Sequence, residues 1–347
     1  INGTPDDSGR QHDDSVRPLP SFAAVESTRR RPRFRVCFVF SPLFDTIRRR
    51  SANQQQRILA QGEGDVLDGY ADRWALVTGA SSRIGAEFAT RLAELGMHLV
   101  LVARRQEPMV QLSQELHTKH GTRCEIVPND LSDPAAAKSL VDHVAGKDIS
   151  IELLVNNAGF GVVGDIESTD VNRLMQMIRL NIGAVTELTY RFLLGMLQRG
   201  HGAIINVSSV AAFQPVAYMG VYSATKSYVL HFTEALWAEA RDKGVTVMAL
   251  CPGVTRTDFF DVAGTPGWLK KQRSQSPRQV VKAALKGLEK RRQYTVSGWK
   301  NYLLSLAVRL ATRKIVVTES MKYFRPSSKK KSAESQAPDA NKTSKSA

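Results

Sequence analysis

Trp74-Ala75-Leu76-Val77-Thr78-Gly79-Ala80-Ser81-Ser82-Arg83-Ile84-Gly85 is the stretch that decides the fold. Its first five residues form a short apolar run closed by a glycine, which reads as a buried strand. From Ile84 to Leu95 apolar residues recur at helical spacing, so a helix opens directly after the turn. A strand that passes through such a turn into a helix leaves backbone N–H groups free, at the positive end of the helix dipole. That arrangement suits a phosphate. A glycine turn is common by itself, and its meaning depends on its surroundings.

The same pattern repeats along the chain. Apolar runs at His98–Ala103, Cys124–Pro128, Ile151–Val155, Ala203–Val207, Val245–Leu250 and Tyr294–Val296 read as further strands. Pro108–His120, Pro134–Ala145 with Asp133 as N-cap, Val221–Asp242 and Pro277–Lys290 read as helices, and Asp170–Gln198 as one long helix or two in succession. Alternation of this kind predicts βαβ units with right-handed crossovers and a mainly parallel sheet covered on both faces. The expected fold class is therefore α/β: a single Rossmann-like, doubly wound domain over residues 71–300 with seven strands. Residues 1–70 read as a disordered or non-native extension, 301–325 as a helical basic extension, and 326–347 as a disordered tail. The segment Phe34–Phe44 mimics a signal peptide, but it is short, late in the chain and without a clear cleavage site.

Composition narrows the function classes. At 42% hydrophobic and 23% charged, the 347-residue chain has the make-up of a soluble globular protein with a substantial core. Its three cysteines, Cys37, Cys124 and Cys251, form no CxxC pair, so neither a zinc site nor a disulfide framework is expected, and a cytoplasmic location is. No run of eighteen apolar residues predicts a membrane span. The net charge is +15, and residues 270–325 carry most of the excess, with fifteen Lys and Arg against two Glu. Such a segment is first of all a solvated basic face; it also has the charge to attract anionic lipid, nucleic acid or an acidic carrier. Nucleic acid is not expected as a partner, because interleaved aromatics and a recognisable module are lacking. Within this segment Tyr302–Leu310 is an apolar helical stretch. It reads first as an extra helix packed on the core; the other readings are a peripheral helix on anionic membrane and a cover over a substrate site.

Two further patterns carry chemistry. The second strand ends in Ala103-Arg104-Arg105, where an acid would hold the ribose 2′-hydroxyl of NAD. Arginine suits the 2′-phosphate of NADP instead, through charge-assisted, often bidentate bonds. Tyr222-Ser223-Ala224-Thr225-Lys226 puts Tyr222 and Lys226 on one face of a helix. A free phenol has a pKa of about 10 and is a poor base, but a nearby ammonium favours phenolate. Tyr222 is thus a candidate proton donor to a carbonyl oxygen, or acceptor from an alcohol.

Taken with their neighbours, these motifs resemble the short-chain dehydrogenase/reductase family. The resemblance spans about residues 72–300. Thr78, Gly79 and Gly85 match the family loop TGxxxGxG, with Arg83 in place of the middle glycine. It implies an enzyme in which Ser209 orients the substrate oxygen, Tyr222 exchanges the proton, Lys226 holds the ribose hydroxyls, and Asn181 helps hold a water linking Lys226 to solvent. It further implies cofactor contacts from Gly79, Ser81, Ser82, Arg83, Ile84 and Gly85, from Arg104 and Arg105, and from Asp130 and Leu131 near the adenine. Asn157, Ala158 and Gly159 would line the cleft, and Pro252, Gly253, Thr255 and Thr257 would hold the nicotinamide. Arg83 is expected to pair with a phosphate. No metal is expected. The implied reaction is NADP(H)-dependent interconversion of a carbonyl and an alcohol by hydride transfer, in a homodimer or homotetramer. Phe259, Phe260 and Trp268, in the segment 258–276 with its glycines and proline, predict an apolar pocket under a mobile lid and a lipophilic ketone, aldehyde or acyl substrate. The competing reading is a non-enzymatic NADP(H) sensor or scaffold that uses the basic C-terminal face.

Overall fold

The computed structural model describes residues 68–265 and 273–325. The expectations for residues 1–67 and 326–347, and for the lid around Trp268, lie outside the described residues. Seven strands form one sheet: β1 (Trp74–Thr78), β2 (His98–Ala103), β3 (Cys124–Pro128), β4 (Ile151–Asn156), β5 (Gly202–Val207), β6 (Val245–Cys251) and β7 (Tyr294–Val296). Their order is β3-β2-β1-β4-β5-β6-β7, and every neighbouring pair is parallel. The order reverses direction between β1 and β4, which opens a crevice at the carboxyl ends of these strands.

Helices cover both faces because strand side chains alternate in direction. Val77, Leu99 and Leu101 pack with Phe88 and Leu92 of α1 (Arg83–Glu94), Leu116 of α2 (Glu107–His120) and Val281 of a later helix, Pro277–Glu289. On the other face Leu76, Val100 and Ile204 meet Leu140 of α3 (Ala136–Gly146) and Leu188 and Met196 of a helix over Val185–Arg199. Burying each such side chain contributes about 1.5–3 kcal/mol, so the two apolar layers hold the sheet more than any single cap does.

The region expected to be one or two helices is α4 (Val171–Ile178), a π-helical segment Arg179–Ala184, and α5 (Val185–Arg199) in unbroken succession. Then follow α6 (Gly220–Ala240), α7 (Pro277–Glu289), α8 (Trp299–Leu310) and α9 (Arg313–Phe324). Two expectations are corrected. Asp133 does not cap α3: its carboxylate accepts from the N–H of Ala135, closing a turn, and the helix starts at Ala136. Tyr70, expected in the extension, is buried in the core at the end of the short turn Asp68–Tyr70.

Candidate active site

The turn after β1 is built around close backbone approach. Gly79 has φ +66°, and a Cβ on Gly85 would lie 2.2 Å from the carbonyl oxygen of Gly79. Only glycine fits there without displacing the loop. Ser82 caps α1, its hydroxyl accepting from the N–H of Gly85 at 3.1 Å. Asn157 braces the turn from β4: its amide donates to the carbonyls of Thr78 (2.9 Å) and Gly79 (3.2 Å) and to the Ser82 hydroxyl (3.2 Å). The Thr78 hydroxyl in turn accepts from the N–H groups of Asn157 and Ala158. The Asn157 amide therefore fixes the shape of the loop, a role the sequence did not reveal.

The flanking candidates are less uniform. Arg104 and Arg105 are exposed at the end of β2, and Arg105 donates to the carbonyl of Ser81 at 3.4 Å. Asp130 accepts from both the N–H and the hydroxyl of Ser132, while Leu131 is buried in the core. Arg83 was expected on a phosphate. Here its guanidinium stands 3.3 Å from the carboxylate of Asp258, with both side chains mostly exposed. The pair ties the start of α1 to the chain beyond β6.

Tyr222 and Lys226 sit in the first two turns of α6 and are both buried. Burial pushes the phenol up to about 12, opposed by a hydrogen bond with Ser209. Burial likewise pushes the Lys226 ammonium down to about 8. Desolvation thus outweighs the stabilisation of phenolate expected from the lysine, and the resting phenol keeps its proton. The Lys226 ammonium donates to the carbonyl of Val207 at 2.8 Å. It also lies 3.3 Å from where a Cβ on Gly159 would stand, so a side chain there would crowd the ammonium. Ser209 accepts from the N–H of Ala211, whereas Ser208 donates to the carbonyl of Lys226, a structural role. Asn181 is fully buried in the π-helical segment and holds Phe160 and the Thr225 hydroxyl. The structure therefore gathers Asn181, Ser209, Tyr222 and Lys226 at the carboxyl ends of β4 and β5.

The turn after β6 closes the site. Thr255 donates to the carbonyl of Gly253, and Thr257 accepts from the N–H of Phe259. Phe259 lies against Tyr222 with ring centroids 5.2 Å apart, and Phe260 meets Phe259 edge-on. Around Tyr222 an apolar cluster gathers Phe160, Met177, Val216 and Met219, with Phe324 of α9 packed on it. Sequence reasoning missed Phe324, and also Asn301. A Cβ on Gly253 would lie 2.2 Å from the Asn301 amide, so α8 seats directly on the Pro252-Gly253 turn. Asn301 is fixed by Gln275 and by the carbonyl of Ser297.

The chemistry of this set fits a dinucleotide: the glycine turn leads into the N-terminus of α1, whose N–H groups suit a pyrophosphate, and the Lys226 ammonium lies close to Gly159. Among the described residues no cluster of metal ligands is present.

Known proteins resemble this chain. The chain is 32% identical over 234 residues to the very-long-chain 3-oxoacyl-CoA reductase of Bos taurus, covering 66% of this chain and 73% of that protein. It is 31% identical to the 7beta-hydroxysteroid dehydrogenase of Clostridium sardiniense, covering 61% and 77%. Among solved structures, the short-chain dehydrogenase from Sphingobium yanoikuyae in complex with NADPH superposes with a TM-score of 0.63 at 30% identity, over 78% of this chain and 98% of that one. A family model described as short chain dehydrogenase matches residues 73–265, more than half of the chain. This chain belongs to the short chain dehydrogenase family.

Proposed function

We propose that the chain is an NADP(H)-dependent reductase of lipophilic ketones, aldehydes or acyl groups. The observation that carries this reading is the buried Tyr222, hydrogen-bonded to Ser209 and lying within an apolar cluster beside the cofactor turn. A bound nicotinamide supplies the hydride. The rest falls to the chain's own residues. The Ser209 hydroxyl positions the carbonyl oxygen, and the phenol of Tyr222, protonated at neutral pH, gives that oxygen its proton. Lys226 holds the ribose hydroxyls and keeps a positive charge near the phenol. The Pro252-Gly253 turn with Thr255 and Thr257 orients the carboxamide, which selects the ring face. The surroundings of Tyr222 exclude water and favour an apolar chain next to the reacting carbon.

The preference for NADP rests on Arg104 and Arg105, which stand where an acid would favour NAD. Lipophilic substrates are supported by the cluster around Tyr222 and by relatives named for acyl-CoA and steroid chemistry. A homo-oligomer is supported by Tyr190 and Leu194, 61% and 45% exposed on α5. A cytoplasmic location fits free Cys124 and Cys251. Fluorescence titration of the full chain with NADPH and NADH tests the reading. Tight NADPH binding that weakens in Arg104→Asp supports it. Preference for NADH overturns the cofactor choice, and binding of neither favours a non-enzymatic scaffold.

A further inference from the structure

Helix α8 is built inside out. Asn301 and Ser305 turn toward the protein, and Ser305 is buried. Trp299, Leu303 and Leu310 face outward at 69%, 52% and 91% exposure, with Leu306 half-buried between them. Their spacing of i, i+4, i+7 and i+11 forms one continuous stripe along the helix. Tyr302 flanks the stripe, and Ile315 of α9 is exposed as well. An ordinary surface helix has the reverse pattern, and an outward apolar stripe marks an interaction surface.

Charge identifies the occupant. Residues 290–318 hold seven Lys and Arg and no Asp or Glu. Lys300 adjoins the stripe and Arg313 and Lys314 follow it in sequence, all three exposed; Arg309 is exposed too, with its guanidinium over the Phe213 ring. A second copy of this face would set cation against cation, so two-fold self-association through it is disfavoured. An anionic bilayer satisfies both features: acyl chains accept the Trp and Leu side chains, and headgroups accept the basic ones. We propose that α8, with the start of α9, docks this protein on the surface of an anionic membrane. The helix rests in the headgroup layer and does not cross it; among the described residues no helix is long and apolar enough to span. The same C-terminal segment supplies Phe324 to the apolar cluster around Tyr222, so the lipid-facing helices and the wall of the site are continuous in sequence. The inference stands on α8 itself and does not depend on the reaction proposed above.

The test is flotation of the full chain with phosphatidylcholine vesicles, with and without added phosphatidylserine. The expected result is binding only to the anionic vesicles, weakened by salt. Leu303→Glu/Leu310→Glu should abolish it, and Arg313→Glu/Lys314→Glu should weaken it by about tenfold or more. Both double variants change exposed residues, and circular dichroism confirms their folding. No flotation, equal flotation with phosphatidylcholine alone, or flotation that survives the Leu substitutions overturns the proposal; the last places any membrane contact elsewhere in the chain. A dimer that dissociates in Leu303→Glu/Leu310→Glu, without vesicle binding by the parent protein, also overturns it.

Discussion

Asn181 and Phe160 are joined by two hydrogen bonds: the Asn181 side-chain oxygen accepts from the Phe160 N–H at 3.2 Å, and its amide donates to the Phe160 carbonyl at 3.0 Å. The side chain so holds the strand-to-loop corner that follows Gly159, opposite Lys226. Asn181→Ala leaves both backbone groups buried without partners and is expected to cost about 2–4 kcal/mol. Urea denaturation checks this; a loss under about 1 kcal/mol would mean that water replaces the amide without penalty.

The seat of α8 on the Pro252-Gly253 turn predicts a coupled pair. Gly253→Ala drives its methyl into the Asn301 amide and should cost about 1–3 kcal/mol through overpacking. Asn301→Ala frees that space, so the double variant should recover part of the loss. Additive losses in thermal or urea unfolding would contradict the contact.

Much of this was legible in the sequence. β1, β2, β3 and β7 have the boundaries read from their apolar runs; for β1 and β2 this is because a strand buried on both faces leaves an uninterrupted hydrophobic signal. Helix spacing put Tyr222 and Lys226 on one face, the family resemblance pointed to Ser209 and Asn181, and the structure brings the four side chains together. What stayed hidden depends on contacts between distant segments. Nothing near Gly253 announces Asn301, and nothing near Arg83 announces Asp258. The Asp133 cap failed because a short polar side chain serves a turn as readily as a helix start. The sequence marked Tyr302–Leu310 as an apolar helical stretch, but not which way its apolar side chains point.

The titration of the site follows from burial. Tyr222 should release no proton across the range near pH about 10 where exposed phenols ionise. The near-ultraviolet difference between the parent protein and Tyr222→Phe should stay flat there. In Ser209→Ala, losing the hydrogen bond that lowers its pKa should move Tyr222 higher still. A phenolate signal below pH about 10 in the cofactor-free protein would contradict the desolvated phenol.

Lys226 gives the opposite sign. Its ammonium, pushed down to about 8 by burial, loses its charge in the free protein as pH rises through that value. If the charged form holds the ribose hydroxyls, NADPH affinity should fall above this pH, and Lys226→Met should lose affinity at neutral pH and show no such fall. A fall of equal size in Lys226→Met would assign it to another group.

Arg83 and Asp258 form an exposed pair worth at most about 1 kcal/mol to stability. If Arg83 acts through Asp258, the single alanine variants should shift NADPH affinity by similar factors, and the double variant no further. Weakening confined to Arg83→Ala would restore the direct phosphate contact.

The most direct test of the account is turnover of Tyr222→Phe on a lipophilic ketone with NADPH, measured beside its NADPH affinity. The proton-donor role predicts a fall in kcat of about 10²–10⁴-fold, with NADPH binding retained. Turnover that matches the parent protein would contradict it.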